Sequence, residues 1–276
     1  MKVIKHIILV PLIIALIILA LFPLYYLLVT AFTSNEKVDK GIQELLPDGI
    51  HFESFRQIDF KEFGLAFLLT FISVIILNVF KLASVLLSAI GLVKLSKTLR
   101  KILFIFFLFA SFIPEISIYL YILTIVNKSG IRVSGDYYSI GFVLSLTMMF
   151  SFFMLIIFYN TINQEYQQKR QLIKVDNLKM RHIFFQVFLP KLKVPIYLLI
   201  IFTTIDGWNS YLWPQIILSG EKLDTISTII TRLGQKYNQN LYNVTAAGAV
   251  ISTIIPLGIY IIWSRFINKR MYNMVG

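Results

Sequence analysis

The amino-acid sequence predicts an all-α integral membrane protein with six transmembrane helices and both termini on the cytoplasmic side. Three observations carry that prediction. First, 57% of the 276 residues are hydrophobic and only 14% are charged, against roughly 45–50% and about 25% in a soluble domain. Too little polar surface remains to coat a water-soluble globule, and a disordered chain is excluded on the same ground. Second, six apolar runs, 7–32, 63–93, 102–126, 139–160, 194–218 and 244–267, are long. Each exceeds the roughly 20 helical residues that cross a hydrocarbon core. Third, basic residues crowd the polar segments on one side of those runs, and this bias orients membrane proteins.

The first span follows Lys2 and Lys5 and continues past Pro11 and Pro23. It outlasts the roughly 7–15 apolar residues of a signal peptide, so it reads as a retained span. The extracytoplasmic loop 33–62 is the most soluble-like stretch, expected to form a small cap with Leu45, Leu46, Phe52 and Phe55 packed on helix ends. The second span holds Lys81. The third holds Pro114 and Glu115, where the proline frees a carbonyl and kinks the helix. The fourth leads into a long cytoplasmic loop, 161–193. The fifth holds Asp206, and the sixth leads to the basic C-terminus. All six form a single domain, residues 1–276.

Residues 2–5, 94–101, 161–193 and 265–270 carry 16 Lys and Arg, against nine in 33–62, 127–138 and 219–243. Ten acidic residues lie in those outer loops, and only Glu165 and Asp176 in the cytoplasmic ones. The formal charge of +12 is therefore a topology signal rather than a nucleic-acid footprint. The chain has no cysteine, which excludes disulfides and thiol chemistry. His6, His51 and His182 are scattered without metal-ligand spacing. No Ser-His-Asp arrangement or phosphate-cradling glycine loop is present, so the chain is expected to be no enzyme, to bind no metal or cofactor and to hydrolyse no ATP itself.

Ionisable residues at bilayer depth are costly and point to function. Asp206 lies about twelve residues into the fifth span, roughly 18 Å along the helix at 1.5 Å per residue. Around it stand Trp208, Asn209, Tyr211 and Trp213. Flat aromatic rings beside hydrogen-bonding groups suit a sugar, whose C–H face stacks on a ring while its hydroxyls meet polar side chains. The same tryptophans also fit packing between helices, and Trp213 an interfacial belt. Glu115 either lines a cavity or pairs with a base. Lys81 either pairs with Glu115 or Asp206 or snorkels to the cytoplasmic side.

A long loop in a chain of short ones asks for a function. Residues 161–193 read as two short helices, roughly 164–175 and 178–188, with Asp176 and Asn177 between them as cap and tight turn. Ile183, Phe184, Val187 and Phe188 form an amphipathic stripe, and Pro190 and Pro195 flank the start of span five. A helix lying on the lipid surface fits that pattern equally.

Lys174-Val175-Asp176-Asn177-Leu178, Ile183 to Pro190 and Pro195 together resemble the EAA loop of ATP-binding-cassette (ABC) importer permeases. Gly207-Trp208-Asn209-Ser210-Tyr211-Leu212-Trp213-Pro214 is similar to the W-N-x-[FY]-x-x-P signature of the carbohydrate-uptake, maltose-permease-G-like branch. Ala246 to Val250 and Arg265-Phe266 also fit. Two departures stand out. Gln171-Leu172-Ile173 replace Glu-Ala-Ala, and Asn177 replaces a glycine at positive φ, which Asn tolerates.

The resemblance implies a type I ABC importer permease fold in the bacterial plasma membrane. It implies translocation of a carbohydrate, an oligosaccharide by preference, with glycerol phosphate or a polyamine as alternatives. A membrane scaffold or membrane-embedded enzyme is the alternative of another class. Implied partners are a second permease subunit, two cytoplasmic ATPase subunits holding ATP and Mg2+, an extracytoplasmic binding protein and membrane lipid, with no nucleic acid. ATPase coupling would fall to Gln171, Leu172, Ile173, Lys174, Asp176, Asn177, Leu178 and Pro190. The substrate path would be lined by Glu115, Asp206, Trp208, Asn209, Tyr211 and Trp213. Bulkier Leu172 and Ile173 imply a differently shaped ATPase socket.

Overall fold

The structure is a computed structural model, and it describes residues 2–47, 49–130, 137–175, 179–236 and 239–275. Among them the chain is helical except for connections and one antiparallel pair, β1 (Gln235–Lys236) with β2 (Gln239–Asn240). Two compact units form, one of Met1–Gly64 with Thr228–Ile255, the other of Leu65–Ser227 with Pro256–Gly276.

The first unit contains α1 (Lys2–Ala31), α2 (Asn35–Asp39) and α3 (Glu53–Arg56). The cap is tied by its backbone. Ser54 donates to the Ala31 carbonyl at 2.9 Å, and Tyr25 donates to the Leu45 carbonyl at 2.8 Å. Phe52 and Phe55 pack with Phe32, at centroid distances of 5.5 and 5.1 Å. Leu45 and Leu46 do not pack as expected; they are 61% and 75% exposed, and that stretch is held through the Leu45 main-chain carbonyl. Asn243 donates to the Thr33 carbonyl and to Asn35 Oδ1. Gly234 has φ +80, and a Cβ there would lie 2.2 Å from the Leu241 carbonyl oxygen. Only glycine fits that turn.

The second unit is built on α4 (Phe60–Lys94), α5 (Lys97–Ala110), α6 (Glu115–Ser129), α7 (Tyr137–Ser145), α8 (Phe152–Val175), α9 (Met180–His182), α10 (Leu189–Asn209) and α11 (Leu212–Ile217). One core joins Val85, Ala89 and Leu92 to Leu155, Phe158 and Ile162, and to Ile183, Val187, Phe188, Leu192 and Leu199. A second joins Leu69, Tyr119, Val126, Ile140, Val143, Trp213 and Ile217. Gly207 allows α10 to approach α4 closely, since a Cβ there would sit 3.1 Å from both Val74 and Leu77 side chains. Close backbone approach of this kind is how helices gain contact where lipid offers no hydrophobic drive. Two further helices, α12 (Ile226–Arg232) and α13 (Tyr242–Val275), complete the chain.

Three helical stretches are long and apolar enough to cross a membrane, Leu9–Ala31, Phe60–Lys94 and Met180–Asn209. The third and fourth predicted spans are each broken. Lys97–Ala110 and Glu115–Ser129 meet at 93°, and Tyr137–Met148 meets Phe152–Ile173 at 77°. Pro114 explains the first break, since it lacks an N–H and drives the preceding residue out of the helical region. The two expected loop helices are extensions of the spans. Residues 164–175 continue α8, and Met180 onward runs into α10 through a π-helical stretch, Ile183–Phe188. The wider π ladder absorbs Pro190, whose ring would clash with the carbonyl four residues back in a regular helix.

Candidate functional site

Three interruptions of helix face one cleft of about 540 Å³. Glu115 stands at the first turn of α6, just past the break at Pro114. Thr147, Met148, Phe150 and Ser151 come from the 3₁₀ turn and the loop between α7 and α8. Ser210 and Tyr211 come from the gap between α10 and α11, with Asp206 and Asn209 in the last turn of α10. Lys81 of α4 and Tyr119 of α6 complete the polar wall. At membrane depth, irregular backbone is tolerated only where protein buries it or where it borders an aqueous cavity. Here all three irregular stretches border the same one.

The cleft is held from behind. Tyr119 donates its hydroxyl to Glu115 Oε2 at 2.8 Å, and the Glu115 carboxylate sits favourably at a helix N-terminus. The Tyr119 ring lies 5.6 Å from that of Trp213. Trp213 is fully buried and donates its indole N–H to the Val143 carbonyl at 3.2 Å. Lys81 is 5% exposed, so it does not snorkel. It shares a smaller adjoining cavity of about 220 Å³ with Asp206 and Ser151.

Of the residues expected along a substrate path, Glu115, Asp206, Asn209 and Tyr211 line this cleft. Trp208 and Trp213 do not. Trp208 is 3% exposed and packs edge-on against Phe67 at 5.3 Å. Successive helical residues turn by about 100°, so Asp206 and Asn209 share a face that Trp208 leaves. Polar lining residues missed by sequence reasoning include Thr147, Ser151, Ser210 and Tyr119. The detectable signals were two hydroxyls flanking Met148–Phe150, and a tyrosine four residues after Glu115.

In the 161–193 segment, Gln171 and Leu172 are exposed, Ile173 packs against the first core of its unit, and Lys174 lies in the last turn of α8. Asp176, Asn177 and Leu178 lie outside the described residues. Pro190 is exposed. Of the two readings open for the stripe, a face on lipid or a face on protein, the structure shows the second, with Ile183, Val187 and Phe188 buried. Leu172, Val175 and Phe185 are 61%, 82% and 55% exposed. Glu165, nearly buried, lies 3.4 Å from Lys169 Nζ and 3.6 Å from Lys191 Nζ, tying α8 to α10. Among the described residues no cluster of metal-ligating side chains occurs.

Residues 82–273 match the family described as binding-protein-dependent transport system inner membrane component. The chain belongs to this family. The permease is 24% identical over 266 residues to the sn-glycerol-3-phosphate transport system permease protein UgpE of Pectobacterium atrosepticum, covering 93% of this chain and 92% of that one. It is 26% identical over 130 residues to the lactose transport system permease protein LacG of Rhizobium radiobacter, covering 47% of each. A crystal structure of a bacterial ABC transporter that imports the acidic polysaccharide alginate shares its fold, with TM-score 0.76 at 19% identity over 95% of this chain and 96% of that one. The permease is thus a multi-pass protein of the inner membrane.

Proposed function

We propose that this permease is one of two membrane subunits of an ATP-driven importer for a carbohydrate, an oligosaccharide by preference. The observation that carries the reading is the convergence of three helix interruptions on one polar cleft. Glu115, Asp206, Asn209 and Tyr211 would meet the solute there, with Trp208 and Trp213 shaping the wall from behind. The chain crosses the membrane six times as a single domain, the third and fourth spans each being broken, with both termini in the cytoplasm. An extracytoplasmic binding protein delivers the solute.

Two cytoplasmic subunits bind ATP and Mg2+ and perform the hydrolysis. Their movement reaches this chain through residues 161–193, where Gln171, Leu172, Ile173, Lys174, Asp176, Asn177, Leu178 and Pro190 form the coupling element. Packed interfaces move as units. Burial of Ile183, Val187 and Phe188 in the same core as α4 and α8 supports direct transmission to the membrane helices. The named relatives, one a glycerol-phosphate permease and one a lactose permease, support a small polyhydroxylated solute.

The test is the complete transporter in proteoliposomes, challenged with sugars, glycerol 3-phosphate and polyamines. A sugar, together with the binding protein, is expected to stimulate ATP hydrolysis and accumulate inside. Stimulation by glycerol 3-phosphate or a polyamine alone would replace the carbohydrate reading. Stimulation by none would remove all three solute classes and leave a different cargo for the importer.

A further inference from the structure

We infer that the cleft discriminates by charge, passing a neutral, hydroxyl-rich solute and turning away anionic sugars and sugar phosphates; this rests on the cleft being part of the translocation path. Its charged lining residues are Lys81, Glu115 and Asp206, two carboxylates and one ammonium. The ammonium is the retracted member. Lys81 is 5% exposed and, with Asp206, lines the smaller adjoining cavity. Both carboxylates belong to exposed residues. An entering anion therefore meets one surplus negative charge before any positive one, in a cleft whose low-dielectric walls concentrate the field.

A neutral sugar finds what it needs. Carboxylates accept hydrogen bonds from hydroxyls, and Asn209, Ser151 and Tyr211 supply both donors and acceptors. Phe150 and Tyr211 add aromatic surface to the lining, a type of group on which a sugar's C–H face packs. This separates the permease from what the names of similar proteins would lead one to expect. One relative is named for glycerol 3-phosphate, and the structural neighbour imports an acidic polysaccharide.

The absence of cysteine makes the local potential measurable without knowing the solute. In the assembled transporter, with partner cysteines replaced, Asn209→Cys places one thiol in the cleft. Two methanethiosulfonates are compared, one ending in trimethylammonium and one in sulfonate. In each, the thiolate attacks the reagent sulfur, a disulfide forms and methanesulfinate leaves. Rates are divided by those with free 2-mercaptoethanol.

The cationic reagent is expected to be favoured by roughly tenfold, the lower end of what a charged cleft does to local ion concentration. Adding Glu115→Gln lowers that preference several-fold, and adding Lys81→Met raises it. If Asn209→Cys fails to assemble, Tyr211→Cys takes its place. Equal or faster reaction of the sulfonate, insensitivity to Glu115→Gln, or uptake of glycerol 3-phosphate or galacturonate by the wild-type transporter overturns the inference. Trapping the ATPases with vanadate separates the two levels. If the cation preference holds but thiol access does not change on trapping, the path reading fails and the charge distribution stands.

Discussion

Trp213 distinguishes a residue that touches solute from one that holds the wall the solute touches. It is fully buried, its N–H is bonded to the Val143 carbonyl at 3.2 Å, and its ring supports Tyr119, which in turn holds Glu115. Trp213→Ala removes the whole indole from a packed site. Aromatic-to-alanine changes of this kind cost about 3–5 kcal/mol in protein cores. In a bilayer the loss comes from dispersion contacts and the cavity rather than from water. Trp213→Phe keeps a six-membered ring in the site and removes the hydrogen bond to the Val143 carbonyl, costing about 1 kcal/mol for that bond.

The assay is the melting midpoint of the purified complex in nanodiscs, beside solute-stimulated ATP hydrolysis. Trp213→Ala should melt several degrees lower, with Trp213→Phe between it and wild type. ATP hydrolysis should lose its response to solute in proportion, as Tyr119 and Glu115 lose their support. A Trp213→Ala complex that melts with wild type yet fails to transport would refute this reasoning and return Trp213 to the solute-contacting surface.

Three further outcomes are expected. Asp176→Lys should leave the protein in the membrane and the complex assembled while uncoupling ATP hydrolysis from uptake, read as hydrolysis without accumulation; normal uptake would remove the loop from the coupling route. Gly207→Leu, which drives a branched side chain into contacts already 3.1 Å from Val74 and Leu77, should destabilise by about 1–3 kcal/mol, measured as a lower melting midpoint, whereas Gly207→Ala should cost less. Gly234→Ala should cost more than about 1 kcal/mol, because φ is +80 and the new carbon would meet the Leu241 carbonyl; faster proteolysis of the 234–241 turn would report it.

Much of the local order was legible because it is written in short-range pattern. Apolar runs announced the long helices, and Pro114 announced a disturbance of the third span. The size of that disturbance, 93°, was not legible. A proline specifies lost hydrogen bonds but not the direction taken afterwards, which packing decides. The stripe Ile183, Phe184, Val187 and Phe188 was visible as an amphipathic face. Lipid and protein core are equally apolar partners for such a face, so only the core around Phe158 and Leu192 settled which it meets. The tryptophans left two readings open for a related reason. A flat aromatic near polar groups describes a sugar site and a packed helix junction equally well.

The sequence by itself determined that this chain lives in a membrane, where its long apolar runs fall, and which ionisable residues interrupt them. Composition, run length and charge placement act through solvation, which needs no knowledge of neighbours. The tertiary structure alone decided that Lys81, Glu115 and Asp206 share one cleft, that Trp208 and Trp213 stand behind its wall, and that Tyr119, Thr147 and Ser151 belong to it. Those facts depend on where three helices break and how the pieces turn. That is set by contacts between residues far apart in the chain.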